Sequence, residues 1–138
     1  MLERWDFGWE ADRLLEEVPR AAAALRGPVS PPGEMLRRAR EILAGFLSSP
    51  AAAELRRAEL LGREVPLLAA SGWRAVAARA DVVFRMDGKL VVGDYKLAEE
   101  PRVPAESARA YREAASAAFG EPARFALISL TGGRIFDF

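Results

Sequence analysis

The chain has 138 residues, enough for one domain with a core of moderate size, and it contains neither cysteine nor histidine. Those absences exclude disulfide bonds, zinc fingers, cysteine nucleophiles and histidine acid–base chemistry, which leaves carboxylate, amine, guanidinium and hydroxyl groups. Basic and acidic residues balance at 20 each, so the chain lacks the bulk charge of a typical nucleic-acid-binding domain, and any such binding must be local or helped by a partner or a metal.

The first 62 residues are predicted to be helical. Apolar side chains at helical spacing predict a first helix from about residue 9 to residue 25, which a glycine and several prolines end. A second helix is predicted over residues 33–47 and a third, shorter one over residues 51–61. The sequence therefore predicts three helices before the first strand.

Beyond residue 62 the pattern is typical of β-structure. Two long strand-like runs flank Asp87-Gly88, which is the strongest short signal for a two-residue hairpin turn. The predicted elements are strands 65–68, 74–85 and 89–97, a helix over 104–119, and a final hairpin of strands 125–130 and 134–138. This order predicts a single α+β domain, with a central mixed sheet flanked by helices over residues 63–138 and a helical N-terminal half.

The Asp87-Gly88 turn sets the register of the two strands beside it. Met86 pairs with Lys89, and in every further pair the residue numbers have the same sum. This register places Asp81 opposite Asp94, and directly opposed side chains have Cβ atoms about 4.5 to 5.5 Å apart. Since like charges at that distance repel, we expect a compensating group between the two carboxylates.

Lys96 follows Asp94 on the strand face that begins with the apolar residues Leu90 and Val92. One alternative is that these two charges lie solvated at a frayed strand end, as surface charges usually do. However, the chain has 2 lysines beside 18 arginines, and lysine is a compact titratable charge whereas arginine is a planar fork. The choice of lysine and the opposed Asp81 predict that Asp81, Asp94 and Lys96 form a site.

The predicted site has the chemistry of a hydrolytic metal centre. Two carboxylates with no soft ligand nearby are suited to Mg²⁺ or Mn²⁺, which would relieve their repulsion. A bound divalent ion lowers the pKa of its water, and Lys96 can orient that water or stabilise an anionic transition state. Phosphodiester cleavage is the natural substrate class for such a centre.

Several segments of the chain resemble the PD-(D/E)XK nucleases, in the branch of the RecB/AddA-type helicase–nuclease C-terminal domain. The central motifs are matched by residues 79–83, 87–88 and 90–96, and further similarity lies in 46–49, 63–66 and 131–134. The resemblance covers nearly the whole chain. It implies a restriction-endonuclease-like fold and a metal-dependent DNA exonuclease or single-strand nuclease without sequence specificity, acting in DNA repair or recombination.

The resemblance also implies roles for the matched residues of the metal centre. Asp81 and Asp94 would be metal ligands, with the main-chain carbonyl of Tyr95 as a third. Lys96 would be the catalytic lysine. Glu64 would be a further acidic member, catalytic or metal-ligating; the alternative is that it is only a strand-edge charge.

The chain departs from this family at its histidine, which lies on the first helix four residues after a glycine. Here Gly8 is followed at that distance by Asp12, so an oxygen ligand would replace the imidazole. The alternative is that Asp12 is a solvated acid that interacts favourably with the helix dipole.

The helix predicted over 104–119 resembles the family's Gln-x-x-x-Tyr helix. Ser107 stands in place of its glutamine, and Tyr111 keeps its tyrosine. Tyr111, Arg109 and Arg112 would be DNA-binding residues, although on an arginine-rich surface the two arginines could be ordinary solvated charges. The absence of histidine and glutamine leaves the carboxylate–carboxylate–lysine core intact.

Two other classes of function stay open beside the nuclease. One is a catalytically weak or inactive nuclease-fold module that binds DNA or serves as a scaffold, with a helicase domain or subunit as its partner. The other is a structural domain without a ligand. No apolar run approaches the roughly 20 residues of a membrane span and no signal peptide is recognisable, so we expect a cytoplasmic protein with no membrane partner. The missing Asn, Gln and Cys indicate a codon bias or adaptation to high temperature.

Overall fold

A computed structural model describes residues 2, 5–24, 33–71 and 74–138. Within these ranges the chain forms four helices and a five-stranded mixed sheet, which confirms the predicted α+β class. The elements are α1 (Ala11–Ala24), α2 (Gly33–Leu47), α3 (Pro50–Leu55), β1 (Glu59–Ser71), β2 (Arg74–Met86), β3 (Lys89–Lys96), α4 (Ala105–Phe119), β4 (Ala123–Ser129) and β5 (Ile135–Asp137).

The strands lie in the sheet in chain order, from β1 to β5. Neighbouring strands are antiparallel except β3 and β4, which are parallel and joined through α4. The predicted final hairpin between β4 and β5 is confirmed, and so are the bounds of α2. The predicted end of the first helix, at residue 25, lies outside the described residues.

The predicted third helix is wrong at its C-terminal end, and so is the predicted helical character up to residue 62. Helix α3 ends at Leu55, where short-range bonds from the amides of Arg57 and Ala58 tighten the last turn. Strand β1 then begins at Glu59 and is 13 residues long, far more than the strand predicted over 65–68. Its pairing with β2 overrides the local helical preference of this segment.

Helices cover both faces of the sheet, so the molecule has three layers. On one face α1, α2 and α3 pack on the sheet around Trp5, Phe46 and Phe84. On the other face α4 packs over a second apolar cluster that includes Leu90 and Phe125. Strands β3 and β4 contribute alternate residues to the two clusters, as the period of two requires, whereas on β2 the alternation is interrupted between Ala80 and Val82.

Strands β2 and β3 separate at the end of their ladder, and this separation positions the site described below. Their last pair is Val82 with Gly93, whereas β3 continues to pair with β4 as far as Lys96. Gly93 is crowded there: an added Cβ would lie 3.0 Å from Val82 Cγ1 and 3.1 Å from Ile128 Cδ1. The strands can therefore approach this closely only because residue 93 has no side chain.

The β4–β5 turn holds the segment that follows Lys96. The buried hydroxyl of Ser129 accepts a hydrogen bond from the Gly132 amide at 2.7 Å and donates one to the carbonyl of Ala98. Gly133 has a φ of 62° and its carbonyl accepts from the amide of Ala51 in α3. The end of β3 is thus fixed to the last hairpin, which is fixed to the helical layer.

Candidate active site

The register predicted from the Asp87-Gly88 turn is confirmed in every pair of the β2–β3 ladder, from Met86 with Lys89 to Val82 with Gly93. Asp81 and Asp94 are the next residues beyond the last pair. Asp94 raises the pKa of the Asp81 carboxyl as a hydrogen-bonding partner and through its charge, so the two carboxyl groups are close neighbours. A proton or a cation between them relieves the repulsion of two bare carboxylates.

The separation of β2 and β3 exposes main-chain groups of β3 to Asp81. The Tyr95 amide donates a hydrogen bond to Asp81 Oδ2 at 2.8 Å. The Lys96 carbonyl accepts from the Leu130 amide at 2.9 Å, on the side of β4. Since backbone groups of consecutive strand residues point to alternate neighbours, the Tyr95 carbonyl points towards β2, on the same side as Asp81. The Tyr95 side chain packs on the opposite face of the sheet, with its ring edge-on to Phe46.

The environment of Asp81 favours its protonated form. Burial raises the pKa of its carboxyl to about 6, with further contributions from the hydrogen bond to Asp94 and from the charges of Asp94 and Glu64. The hydrogen bond from the Tyr95 amide opposes this rise in pKa. The pair therefore binds a proton more tightly than isolated carboxylates do, and a divalent cation would compete for the same position.

Lys96 lies against the carboxylate pair, as the strand alternation predicts. Its ammonium forms an ion pair with Asp94, whose side chain is 16% exposed. That hydrogen bond raises the pKa of Lys96, so the amine is held in its charged form.

Tyr111 borders the site from helix α4. Its ring stacks on Phe125 with centroids 4.7 Å apart, and its hydroxyl donates to the carbonyl of Arg79 at 3.3 Å. Burial raises the pKa of the Tyr111 hydroxyl, and the charge of Asp94 adds to that effect while Lys96 opposes it. Tyr111 therefore lies within electrostatic reach of both Asp94 and Lys96.

Glu64 reaches the site from β1. The pairs on either side of it, Arg63 with Val82 and Val65 with Ala80, place Glu64 across from Asp81. Its φ of 50° is in the left-handed region, which is unusual for a residue other than glycine. Its carboxylate is 2.8 Å from Nη1 of Arg79. The site therefore contains an arginine that was not among the residues predicted from the sequence.

The other predicted site residues are placed differently. Asp12 is exposed in the first turn of α1, and the carboxylates that act on the pKa of Asp81 are those of Asp94 and Glu64. Arg109 is bound to Glu113, one turn along the exposed side of α4. Arg112 is half-buried on the same helix. The structure thus brings Glu64, Asp81, Asp94, Lys96 and Tyr111 together, and the described contacts of that group include none of Asp12, Arg109 and Arg112.

The donor set matches the chemistry of a hard divalent cation. Mg²⁺ is commonly held by one or two carboxylates, with water and substrate phosphate as its other ligands, and Asp81 and Asp94 supply such a pair. The Tyr95 carbonyl points to the same side. Among the residues that the structure describes, no three or more carboxylates are grouped so that they could hold a metal ion together.

No family model matches the chain, and a search of curated proteins likewise finds no match. The resemblance to the PD-(D/E)XK nucleases therefore depends on the motif residues themselves. Among the described helices, none combines the length and the apolar character needed to cross a membrane.

Proposed function

We propose that this chain is a nuclease domain that uses Mg²⁺ or Mn²⁺ to hydrolyse phosphodiester bonds of DNA without sequence specificity. The observation that carries the proposal is the pair of neighbouring carboxyl groups, Asp81 and Asp94, at the end of the β2–β3 ladder, with the Tyr95 amide bound to Asp81 and the Lys96 ammonium bound to Asp94. Such a group is costly to hold together without a function, because like charges directly opposed in a sheet destabilise it.

Each group has a distinct task in this proposal. Asp81, Asp94 and the Tyr95 carbonyl would hold the divalent ion, which supplies an activated water and a positive charge beside the phosphate when it is bound. Lys96 stabilises negative charge that develops on the phosphate oxygens. Tyr111 packs beside the nucleic acid from α4, and Glu64 is an additional carboxylate at the rim.

The proposal includes a restriction-endonuclease-like fold and a setting in DNA repair or recombination in the cytoplasm. The substrate is a single strand or a DNA end, and a helicase domain or subunit is the expected protein partner. The three-layer arrangement and the resemblance of residues 79–83 and 90–96 to nuclease motifs support these points. Lack of net charge agrees with binding that is confined to the site.

A cleavage assay tests the activity with a matched pair of variants. Labelled single-stranded DNA is incubated with Mn²⁺ and with wild type, Asp94→Asn or Asp87→Asn. Asp87 lies exposed in the hairpin turn, so its substitution makes the same chemical change at the other end of β3. Wild type and Asp87→Asn should degrade the DNA, and Asp94→Asn should show background only. Equal cleavage by wild type and Asp94→Asn would exclude the enzyme.

A non-catalytic nuclease-fold module is the second candidate function. The observation in its favour is that Lys96 and the Tyr95 amide already compensate the two carboxyl groups without a cation. Calorimetric titration with Mn²⁺ separates the two candidates, because the module predicts no binding that depends on Asp81. The nuclease predicts binding that Asp81→Asn abolishes.

A further inference from the structure

We propose that Arg79 is a phosphate-binding residue of this site and that Glu64 occupies its guanidinium until a nucleic-acid strand displaces it. The inference rests on the proposed function, which it deepens by naming the side chain that binds the phosphate of the substrate. The ligand class is the phosphodiester group of single-stranded nucleic acid.

The position of Arg79 follows from strand geometry. It lies two residues before Asp81 on β2, and its guanidinium is 2.8 Å from the carboxylate of Glu64, which lies across from Asp81 on β1. The Tyr111 hydroxyl donates to the Arg79 carbonyl, which ties this part of β2 to α4. The guanidinium therefore starts from backbone that is fixed beside the carboxylate pair.

The charges of the site show why a second cation is needed. Of the three carboxylates near the site, Asp94 is bound to the Lys96 ammonium, Glu64 is bound to the Arg79 guanidinium, and Asp81 accepts a hydrogen bond from the Tyr95 amide. Without a divalent ion, these carboxylates would repel an approaching phosphate unless a further cation received it, and a guanidinium fork matches two phosphate oxygens at once.

The ion pair between Arg79 and Glu64 is arranged so that a phosphate can exchange with it. The Arg79 side chain is 67% exposed and the Glu64 side chain 27% exposed, so the arginine can be reached from solvent. Exposed ion pairs contribute little stability, which makes this one easy to replace. Glu64 also holds a left-handed backbone conformation, which is unfavourable for a side chain with a Cβ.

A double-mutant cycle measured by binding alone tests the inference. Fluorescence anisotropy of a fluorescein-labelled oligothymidylate is followed at low salt in EDTA, so that cleavage plays no part. Arg79→Ala should weaken binding about tenfold, which corresponds to the loss of one charge-assisted contact. It should also make the negative slope of the log association constant against log salt concentration shallower by about 0.7. Glu64→Gln should tighten binding severalfold, because it releases the guanidinium. The double variant should bind as weakly as Arg79→Ala.

Matched controls come from another exposed ion pair, between Arg37 and Glu41 on α2. Arg37→Ala and Glu41→Gln change the same charges away from the site and should leave affinity within about twofold, the level expected of a surface charge. Arg79→Lys should recover part of the affinity, since it restores the charge without the fork.

Three results would overturn the inference: no binding by wild type, equal binding by wild type and Arg79→Ala, or a gain from Glu64→Gln that persists in the double variant. The last result would mean that Glu64 acts by general repulsion. If only the proposed function is wrong, Arg79→Ala still weakens binding about tenfold, but wild type does not cleave DNA in Mn²⁺. Cleavage by wild type with unchanged binding by Arg79→Ala would reject the inference and leave the nuclease intact.

Discussion

The carboxyl pair of Asp81 and Asp94 is the most unusual feature of the chain at the scale of single residues. Most acidic side chains that the structure describes are exposed or face an arginine, whereas these two are neighbours and Asp94 binds a lysine. Burial and mutual repulsion both disfavour the doubly charged state of the pair. A proton and a divalent cation are alternative ways to relieve that repulsion, so the pair couples pH, metal binding and stability.

This coupling predicts how stability depends on pH in the absence of metal. The pKa of Asp81 is about 6 in the folded chain against an ordinary value of 3.8, so folding strengthens proton binding. Its stabilising contribution is therefore complete below pH 3.8 and is lost as the pH rises through about 6. Asp81→Asn, which keeps the acceptor for the Tyr95 amide, should not show this loss.

Urea unfolding in EDTA between pH 4 and pH 8 measures the effect as the difference between wild type and Asp81→Asn. Above pH 6 the variant should be the more stable by about 1 kcal/mol, after allowance for the partial solvent screening of this site. The difference should shrink towards acid pH. A difference that is constant across the range would show that the two carboxyl groups do not repel in the folded chain.

At the scale of elements, β3 determines where the site can form. It is antiparallel to β2 and parallel to β4, and the separation of β2 from β3 after Gly93 lets Asp81 reach the Tyr95 amide. The missing side chain at residue 93 allows the close approach of β2 and β4 on either side. The geometry of the site thus depends on packing one residue before Asp94.

Gly93→Ala tests this dependence, with Gly45→Ala as its control. An added Cβ at Gly93 would lie 3.0 to 3.3 Å from Val82, Ile128 and Phe84, so we expect a loss of about 1 to 3 kcal/mol by overpacking. At Gly45 on α2 nothing lies within 4 Å, and alanine should stabilise the helix by up to about 1 kcal/mol. Chemical denaturation compares the two. Equal stability of the variants would show that β2 and β4 do not confine residue 93.

Two antiparallel pairings of the sheet, β2–β3 and β1–β2, show how much of the site can be predicted from the sequence. The Asp87-Gly88 turn could be recognised, and its register placed Asp81 opposite Asp94 and Lys96 on the same face. The β1–β2 register, in which Ser71 pairs with Arg74, would have placed Glu64 across from Asp81 in the same way. The sequence does not predict it, because residues 59–61 continue the pattern of the predicted third helix and become a strand only through pairing with β2.

Arg79 is the site residue that is hardest to predict from the sequence. Its position two residues before Asp81 is readable from the sequence. Its partner Glu64 lies on a different strand, in a backbone conformation that glutamate seldom adopts, and neither fact has a local signal. The parallel pairing of β3 with β4 likewise depends on how α4 crosses the sheet.

At the scale of the whole molecule, two helical layers cover the sheet, and the candidate site lies at the end of β3. The net charge is zero, so affinity for a polyanion depends on the few cations at the site. The last hairpin and α3 are fixed to the segment after Lys96 through Ser129 and Gly133. Binding at the carboxylate pair should therefore stabilise the whole fold rather than one loop.

Thermal unfolding with and without Mn²⁺ tests this expectation. A ligand that binds the folded state alone stabilises it by about 2.7 kcal/mol at a concentration 100 times its Kd. Above pH 6 saturating Mn²⁺ should raise the melting temperature of wild type by several degrees and leave that of Asp81→Asn unchanged. Magnesium should act in the same direction. Equal shifts in both proteins would place the ion elsewhere.

The central claim is that Asp81 and Asp94 hold a divalent cation, and anomalous diffraction from crystals soaked in Mn²⁺ tests it most directly. We predict an anomalous peak between the two carboxylates, on the side to which the Tyr95 carbonyl points, with the Lys96 ammonium moved away from Asp94. Crystals without such a peak, in which the carboxyl groups still bind each other and Lys96 still binds Asp94, would contradict it.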